Sequence, residues 1–154
     1  MLQLKNSRIL TASLLLSLLW LPGVAAKPTF RRFDHAHKLF STELKRYVRD
    51  DGVMYRKWKC QRDRLNKYLD QLSLVRPQDY NKFSSDEKKA LWLNAYNALA
   101  IKLVLDNYPI NGINTDYPRD SLRQIPNCWK ATKCLVAGKD VDLYTIKHMI
   151  LRGE

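Results

Sequence analysis

The sequence predicts a mainly helical α+β fold with a small β-hairpin, organised as a single domain. Apolar and ring-bearing residues recur at helical spacing in two amphipathic segments of the first half. A third segment, residues 90–105, is apolar on nearly every face and follows a recognisable helix start. Closer to the C-terminus, residues 132–141 show the short extended pattern and central turn that are typical of a hairpin.

Two amphipathic helices account for the first half of this domain. Residues 33–48 predict the first helix, because large side chains repeat every three to four positions at Phe33, His37, Phe40, Leu44 and Tyr47. The Asp-Asp-Gly of residues 50–52 ends it, and residues 52–55 predict a short extended segment. Residues 61–74 predict the second helix, with Leu65, Tyr68, Leu69 and Leu72 facing inward.

The third helix has the strongest signals for both of its ends. Ser84 and Glu87 have the spacing of a capping box, in which the hydroxyl and the carboxylate each accept a backbone N–H. Residues 107–109, Asn-Tyr-Pro, stop the helix. Because residues 90–105 are apolar almost all round, we expect a central helix that other elements cover on both sides.

The last third of the domain predicts a turn-rich stretch, the hairpin and a final helix. Residues 121–125 predict a short helical turn. Extended residues around 132–136 and 141, joined by a turn at residues 137–139, predict the hairpin. Asp142 is a suitable N-cap for a last helix over residues 143–151.

Residues 1–26 have the order of a cleavable secretory signal peptide, which assigns the domain to residues 27–154. A short region with two cations precedes the apolar run of residues 9–21, and Val24-Ala25-Ala26 supplies small residues at a cleavage site. The run is shorter than the ~20 residues of a spanning helix, although an uncleaved anchor is the alternative interpretation. We therefore expect a secreted protein, in a bacterial periplasm, with no membrane span after signal removal.

The chain is strongly basic, with a formal net charge of +12 over its 154 residues. In a cytosolic protein this charge would suggest a nucleic-acid partner, which export disfavours. For an exported protein the expected partner is an anionic envelope surface. A solvated basic surface without a specific partner is the alternative.

The three cysteines, Cys60, Cys128 and Cys134, leave the disulfide pairing open. An oxidising compartment permits one bond, and the short spacing favours Cys128 with Cys134. The spacing matches no zinc site, and Cys60 is interpreted as an ordinary thiol in preference to a nucleophile.

Asn94, Asn97 and His148 are the candidate ligand-binding residues. The two asparagines are three residues apart on the third helix and therefore share a face, where they either bond neighbouring backbone or orient a ligand. His148 lies beside the apolar face of the last helix and has the same two interpretations. His35 and His37 point to different faces of a helix, so no metal site is predicted there.

The order of these motifs resembles the DUF547 family, a family of unknown function, over residues 30–153. The most specific match is residues 91–99, Leu-Trp-Leu-Asn-Ala-Tyr-Asn-Ala-Leu, which is similar to the family's aromatic-apolar-Asn-x-Tyr-Asn-Ala-Leu helix. Further matches follow in the family's order at Tyr108-Pro109, residues 121–125, Trp129, Gly138-Lys139, Leu143 and residues 146–152.

Two departures from the family pattern bear on function. The family's Ile-Glu-His is Ile146-Lys147-His148 here, so a cation replaces a carboxylate that could orient the histidine. Family members also continue beyond this point with a segment that carries another His and a Cys. The resemblance therefore implies a truncated copy, an incomplete domain that holds the family's N-terminal part, and we expect exposed apolar surface.

The resemblance leaves two functions open. The first is an exported, non-catalytic or degenerate module that binds a small-molecule or peptide ligand beside Asn94, Asn97 and His148. The second is part of an exported thiol-hydrolase-like enzyme whose Cys- and His-bearing half lies outside this chain. The three cysteines do not occupy the family's cysteine motif, no cofactor or metal is implied, and catalytic activity stays undecided.

Overall fold

The computed structural model describes residues 32–153, and their elements confirm the predicted mainly helical α+β class. The signal peptide predicted over residues 1–26 lies outside the described residues. In chain order the elements are α1 (Lys38–Tyr47), β1 (Val48–Arg49), β2 (Gly52–Val53), α2 (Tyr55–Cys60), α3 (Asp63–Ser73), α4 (Pro77–Tyr80), α5 (Ser85–Asn107), a 3-10 turn (Leu122–Gln124), β3 (Lys133–Val136), β4 (Lys139–Asp142), α6 (Leu143–Thr145) and a π-helical turn (Ile146–Ile150).

Helix α1 begins five residues later than the periodicity predicts. The Asp34 carboxylate accepts hydrogen bonds from the backbone N–H groups of Ala36 (3.1 Å) and Lys38 (3.0 Å). His37 has the left-handed backbone conformation, with φ of 48°. An aspartate that bonds nearby backbone offers the chain an alternative to the helix, so residues 33–37 form a turn that leads into α1.

The region between α1 and α3 contains more structure than the sequence indicates. Strands β1 and β2 form a two-stranded antiparallel hairpin with Val48 opposite Val53, so the extended segment predicted at residues 52–55 is shorter than expected. Helix α2 was not predicted, because six residues are too few to show a helical period. Its Trp58 is fully buried and stacks on Tyr47, with ring centroids 4.8 Å apart.

Helix α5 begins at the predicted capping box and forms the centre of the fold. The Ser84 hydroxyl accepts from the Glu87 N–H (3.2 Å), and the Glu87 carboxylate accepts from the Ser84 N–H (2.8 Å). Its buried side chains are Leu91, Trp92, Ala95, Ala98, Leu99, Leu103 and Leu105. The expectation that α5 is covered on both sides is wrong, because Leu93 is 52% exposed and Asn97 is exposed. We call residues 93, 94 and 97 the open stripe of α5.

The predicted hairpin is confirmed as β3 and β4, with Val136 opposite Lys139. Its two-residue turn has positive φ at both Ala137 (50°) and Gly138 (79°), which is the primed turn that suits the strand twist. The Ala137 N–H donates to the Leu72 carbonyl, which docks the tip of the hairpin on α3.

The predicted N-cap at Asp142 is also confirmed, since its carboxylate accepts from the Thr145 N–H at 2.7 Å. After α6 the chain widens into a π-helical turn, in which the Leu151 N–H donates to the Ile146 carbonyl five residues earlier. A single helix over residues 143–151 was expected. Neither cap nor periodicity indicates this widening.

The cysteines are free thiols, so the favoured pairing of Cys128 with Cys134 is wrong. Cys128 is buried in the hydrophobic core, whereas Cys134 is half-buried on β3. A disulfide requires two Cβ atoms at a defined separation and orientation, and a spacing of six residues does not by itself supply either.

Candidate functional site

The two predicted asparagines lie on the open stripe of α5 and differ in their hydrogen bonding. The Asn94 side chain is half-buried, and its amide nitrogen donates to the Ala90 carbonyl at 2.9 Å, one turn earlier. The Asn97 side chain is exposed and makes no hydrogen bond within residues 32–153. The sequence predicted that α5 is covered on both sides, which would bury both amides. Asn97 is exposed because this side of the helix is open.

His148 lies on the π-helical turn, which packs against α5. Its ring lies over Tyr144, with centroids 4.6 Å apart, and its Nδ1 accepts from the Arg152 guanidinium at 3.2 Å. Desolvation, together with the charges of Arg152 and Lys147, lowers the pKa of His148. A neutral imidazole at pH 7 is consistent with the bond from Arg152. The described residues show no hydrogen bond from His148 to either asparagine.

Aromatic rings and lysines surround His148, and the sequence did not predict this arrangement. The Lys147 ammonium lies 5.6 Å from the centroid of Trp129, and Lys130 lies 4.9 Å from that of Tyr144. The Tyr144 N–H donates to the Trp129 carbonyl, which ties the preceding loop to α6. Lys147, which replaces the glutamate of the family pattern, is therefore accommodated by a cation–π contact.

His35 and His37 have separate partners. The His37 Nδ1 is 2.7 Å from the Tyr68 hydroxyl in the interior, and burial lowers the pKa of His37. His35 faces Glu87 at 3.4 Å and packs edge-on against Phe83. The chain from residue 32 to residue 153 holds no group of three His, Cys, Asp or Glu side chains that could bind a metal. The contact between the His37 ring and the Tyr68 hydroxyl joins the turn before α1 to α3.

Glu43 is a fully buried carboxylate in α1, which sequence reasoning missed. Neither of its oxygens makes a hydrogen bond of good geometry, although Arg64 approaches to 4.0 Å. Burial raises the pKa of Glu43, and Arg64, Arg46 and the nearby Trp58 indole oppose that effect. A raised carboxyl pKa means that the folded state holds a proton more tightly than the unfolded state does.

We expect Glu43→Gln to stabilise the protein at pH 8 by about 1 kcal/mol, since an ill-bonded buried charge is removed. The wild-type penalty is absent below the unfolded pKa of the carboxyl and grows as the pH rises through the folded pKa. Urea unfolding of both proteins at pH 4, 6 and 8 measures this, with Asp63→Asn, an exposed carboxyl on α3, as the control. A Glu43→Gln variant that is less stable at pH 8 would mean that the carboxylate is well solvated or paired.

The thiols show no activated nucleophile among the described residues. Burial, reinforced by Asp140, raises the pKa of Cys134 to about 11. Cys60 is exposed and Cys128 is buried, and neither contacts a histidine in the part of the chain that the structure describes. Because the thiolate is the reactive form, Cys134 is held in its unreactive state at neutral pH.

The comparisons with known proteins bear on the C-terminal half of the chain. The family model described as "Protein of unknown function, DUF547" matches residues 80–154. That range contains α5, the hairpin and the His148 region, and it confirms the resemblance over those elements. No curated protein and no solved structure matches the sequence. Helices long and apolar enough to cross a membrane are absent from residues 32–153.

Proposed function

We propose, on the premise that residues 80–154 belong to the DUF547 family, that this chain is an exported module that binds a peptide ligand. The binding surface is the open stripe of α5, with His148 on the turn that packs against that helix. The family description assigns no activity, so the proposal depends on the geometry of the stripe and on the predicted signal peptide.

The observation that carries the proposal is Asn97, an exposed amide without a hydrogen-bond partner among the described residues. It lies on a helix whose other faces are packed with apolar side chains. A carboxamide offers both donors and an acceptor, the combination that pairs with a peptide group. The side-chain oxygen of Asn94 accepts no hydrogen bond within the described region and extends this polar surface by one turn.

Leu93 adds an apolar contact beside the two amides. It is 52% exposed, and an exposed leucine next to the unpaired Asn97 amide and the free side-chain oxygen of Asn94 gives a surface that suits alternating polar and apolar groups. A peptide presents this alternation, because backbone amides and side chains project in turn along an extended chain.

The proposal also assigns to the ligand the surface around His148, whose neighbours are aromatic and basic. Trp129 is 38% and Tyr144 is 43% exposed, and lysines lie over both rings. Aromatic rings flanked by cations favour acidic or aromatic side chains of a ligand. We therefore expect the bound peptides to carry an acidic residue.

The test is peptide selection on the exported protein. The full gene is expressed in a bacterial host, and protein is purified from the periplasm; cleavage after Ala26 should leave Lys27 as the first residue. A phage library of random dodecapeptides is then selected on this protein. Enriched peptides should lose at least tenfold of their affinity for the Asn94→Ala/Asn97→Ala variant.

Asn107→Ala is the matched control, because Asn107 lies on the same helix and makes the same kind of bond, to the Leu103 carbonyl. Its affinity for the selected peptides should equal that of the wild type. Peptides that bind the Asn94→Ala/Asn97→Ala variant as tightly as the wild type would show that the stripe is not the site. Protein that stays in the cytoplasm with its first residues intact would contradict export.

A thiol-hydrolase role gains no support from the described cysteines. Such chemistry needs a thiolate with a neighbouring base, whereas the Cys134 thiol has a raised pKa and Cys128 is buried. The alternative places its catalytic Cys and His outside this chain, so these thiols do not decide it; we place the proposed function in binding because the exposed amide on α5 supports that role.

A further inference from the structure

A groove separate from the open stripe lies between β2, α2 and the residue that follows α5. Its volume is about 470 Å³, which falls in the range of small-molecule sites. The apolar part of its lining comes from Val53, Met54, Tyr55 and Tyr108. Each of these four side chains is half-buried, and together they form the apolar floor of a shallow groove that opens widely to solvent.

Two tyrosines form the aromatic part of this floor. The rings of Tyr55 and Tyr108 are tilted by 38° with centroids 6.0 Å apart. The Lys59 ammonium donates to the Tyr108 carbonyl, which ties the end of α5 to α2. Burial raises the pKa of Tyr55, so its phenol stays neutral at physiological pH. Because the Tyr55 phenol is uncharged, a flat apolar group can pack against this pair of rings without burying a charge.

Two cations without acidic partners lie beside the apolar floor of the groove. Arg56 and Lys57 line the groove, are exposed, and make no ion pair with any described residue. No carboxylate lines the groove. The acids nearest to its lining along the chain are Asp51, Asp63 and Asp106, and Asp106 is paired with Arg62 and Lys102. The charge of the mouth is therefore complementary to an anion.

We propose that this groove binds a small carboxylate with an aromatic body. The ring of the ligand packs on Tyr55 and Tyr108, and its carboxylate pairs with the Arg56 guanidinium or the Lys57 ammonium. Charge-assisted hydrogen bonds of this kind fix orientation as well as affinity. A flat anionic membrane surface would use the two cations but would leave the concave floor without a partner, so the small ligand accounts for more of the geometry.

The probe is 3-phenylpropionate, and its neutral analogue 3-phenylpropanol is the matched ligand. Each is titrated into the exported protein and followed by ¹H–¹⁵N NMR. We expect shifts concentrated at residues 53–61 and 108, and an affinity for the carboxylate at least fivefold higher than for the alcohol. Cys60 lines the same groove as an exposed thiol, so the carboxylate should also slow its alkylation by iodoacetamide at least threefold.

Arg56→Gln/Lys57→Gln should remove the preference for the carboxylate and leave binding of the alcohol unchanged. Lys67→Gln, an exposed cation on α3 outside the groove, should keep the wild-type preference. Equal affinities for acid and alcohol in the wild type, or a preference that survives in Arg56→Gln/Lys57→Gln, would overturn the proposal. Binding to phosphatidylglycerol vesicles would also overturn the proposal if 3-phenylpropionate neither shifts these resonances nor protects Cys60.

Discussion

Replacing Leu99 with alanine is expected to lower the free energy of unfolding by about 3 kcal/mol. Leu99 lies near the middle of α5 and is fully buried, with Ala95, Ala98 and Leu103 also buried along the same helix. Truncating a leucine here loses the transfer free energy of its methyl groups and leaves a cavity, for a typical total of about 2–5 kcal/mol. Urea unfolding followed by circular dichroism at 222 nm measures the change.

The matched control is Leu93→Ala, the same substitution six residues earlier on the same helix. Because Leu93 is 52% exposed, its truncation should cost less than about 1 kcal/mol. Two equal losses would mean that the stripe is covered in solution, and the proposed peptide surface would then be wrong. A large difference between the variants would establish α5 as a central helix with one free face.

The ends of α5 could be predicted from the sequence, whereas its open stripe could not. Ser84 and Glu87 form a local motif, whose partners lie within one helical turn, so a stretch of four residues suffices to specify it. Burial of Leu93 depends on which elements pack against that side of the helix. The near-uniform apolar composition of residues 90–105 contains no information about that choice.

Two errors near the start of the domain have local causes. The periodicity that begins at Phe33 is real, since Phe33 packs against Phe83, but Asp34 bonds the backbone and delays the helix to Lys38. Helix α2 could not be predicted because six residues make fewer than two helical turns, too few to show a periodicity. At Asp34 hydrogen bonds therefore outweighed the hydrophobic spacing, whereas at α2 the spacing was too short to be read.

The candidate sites illustrate the limit of spacing arguments more directly. Asn94 and Asn97 could be selected because both lie on one helix, where an interval of three residues fixes a shared face. Tyr55 and Tyr108 meet across more than fifty positions of sequence, so no motif could join them. Glu43 stood among exposed cations in an amphipathic pattern, and only packing shows that it is buried.

Gly138→Ala is expected to destabilise the protein by about 2–5 kcal/mol. Gly138 has φ of 79°, a left-handed conformation that costs a residue with a Cβ roughly 1–2 kcal/mol. A Cβ at this position would also lie 2.7 Å from Cγ and 3.3 Å from Cδ of Pro77, a ring that cannot rotate away. Forcing such a contact adds the cost of overpacking, typically about 1–3 kcal/mol. Thermal and urea unfolding both report the loss.

Ala137→Gly is the control, because the neighbouring turn residue also has positive φ, of 50°. Relief of its left-handed strain, about 1 kcal/mol, nearly offsets the loss of a buried methyl, about 0.8 kcal/mol, so little net change is expected. The two variants change neighbouring residues of the same turn. Gly138→Ala adds a Cβ that would collide with Pro77, whereas Ala137→Gly removes a Cβ. A Gly138→Ala variant as stable as Ala137→Gly would mean that the hairpin tip is not seated between Leu72 and Pro77.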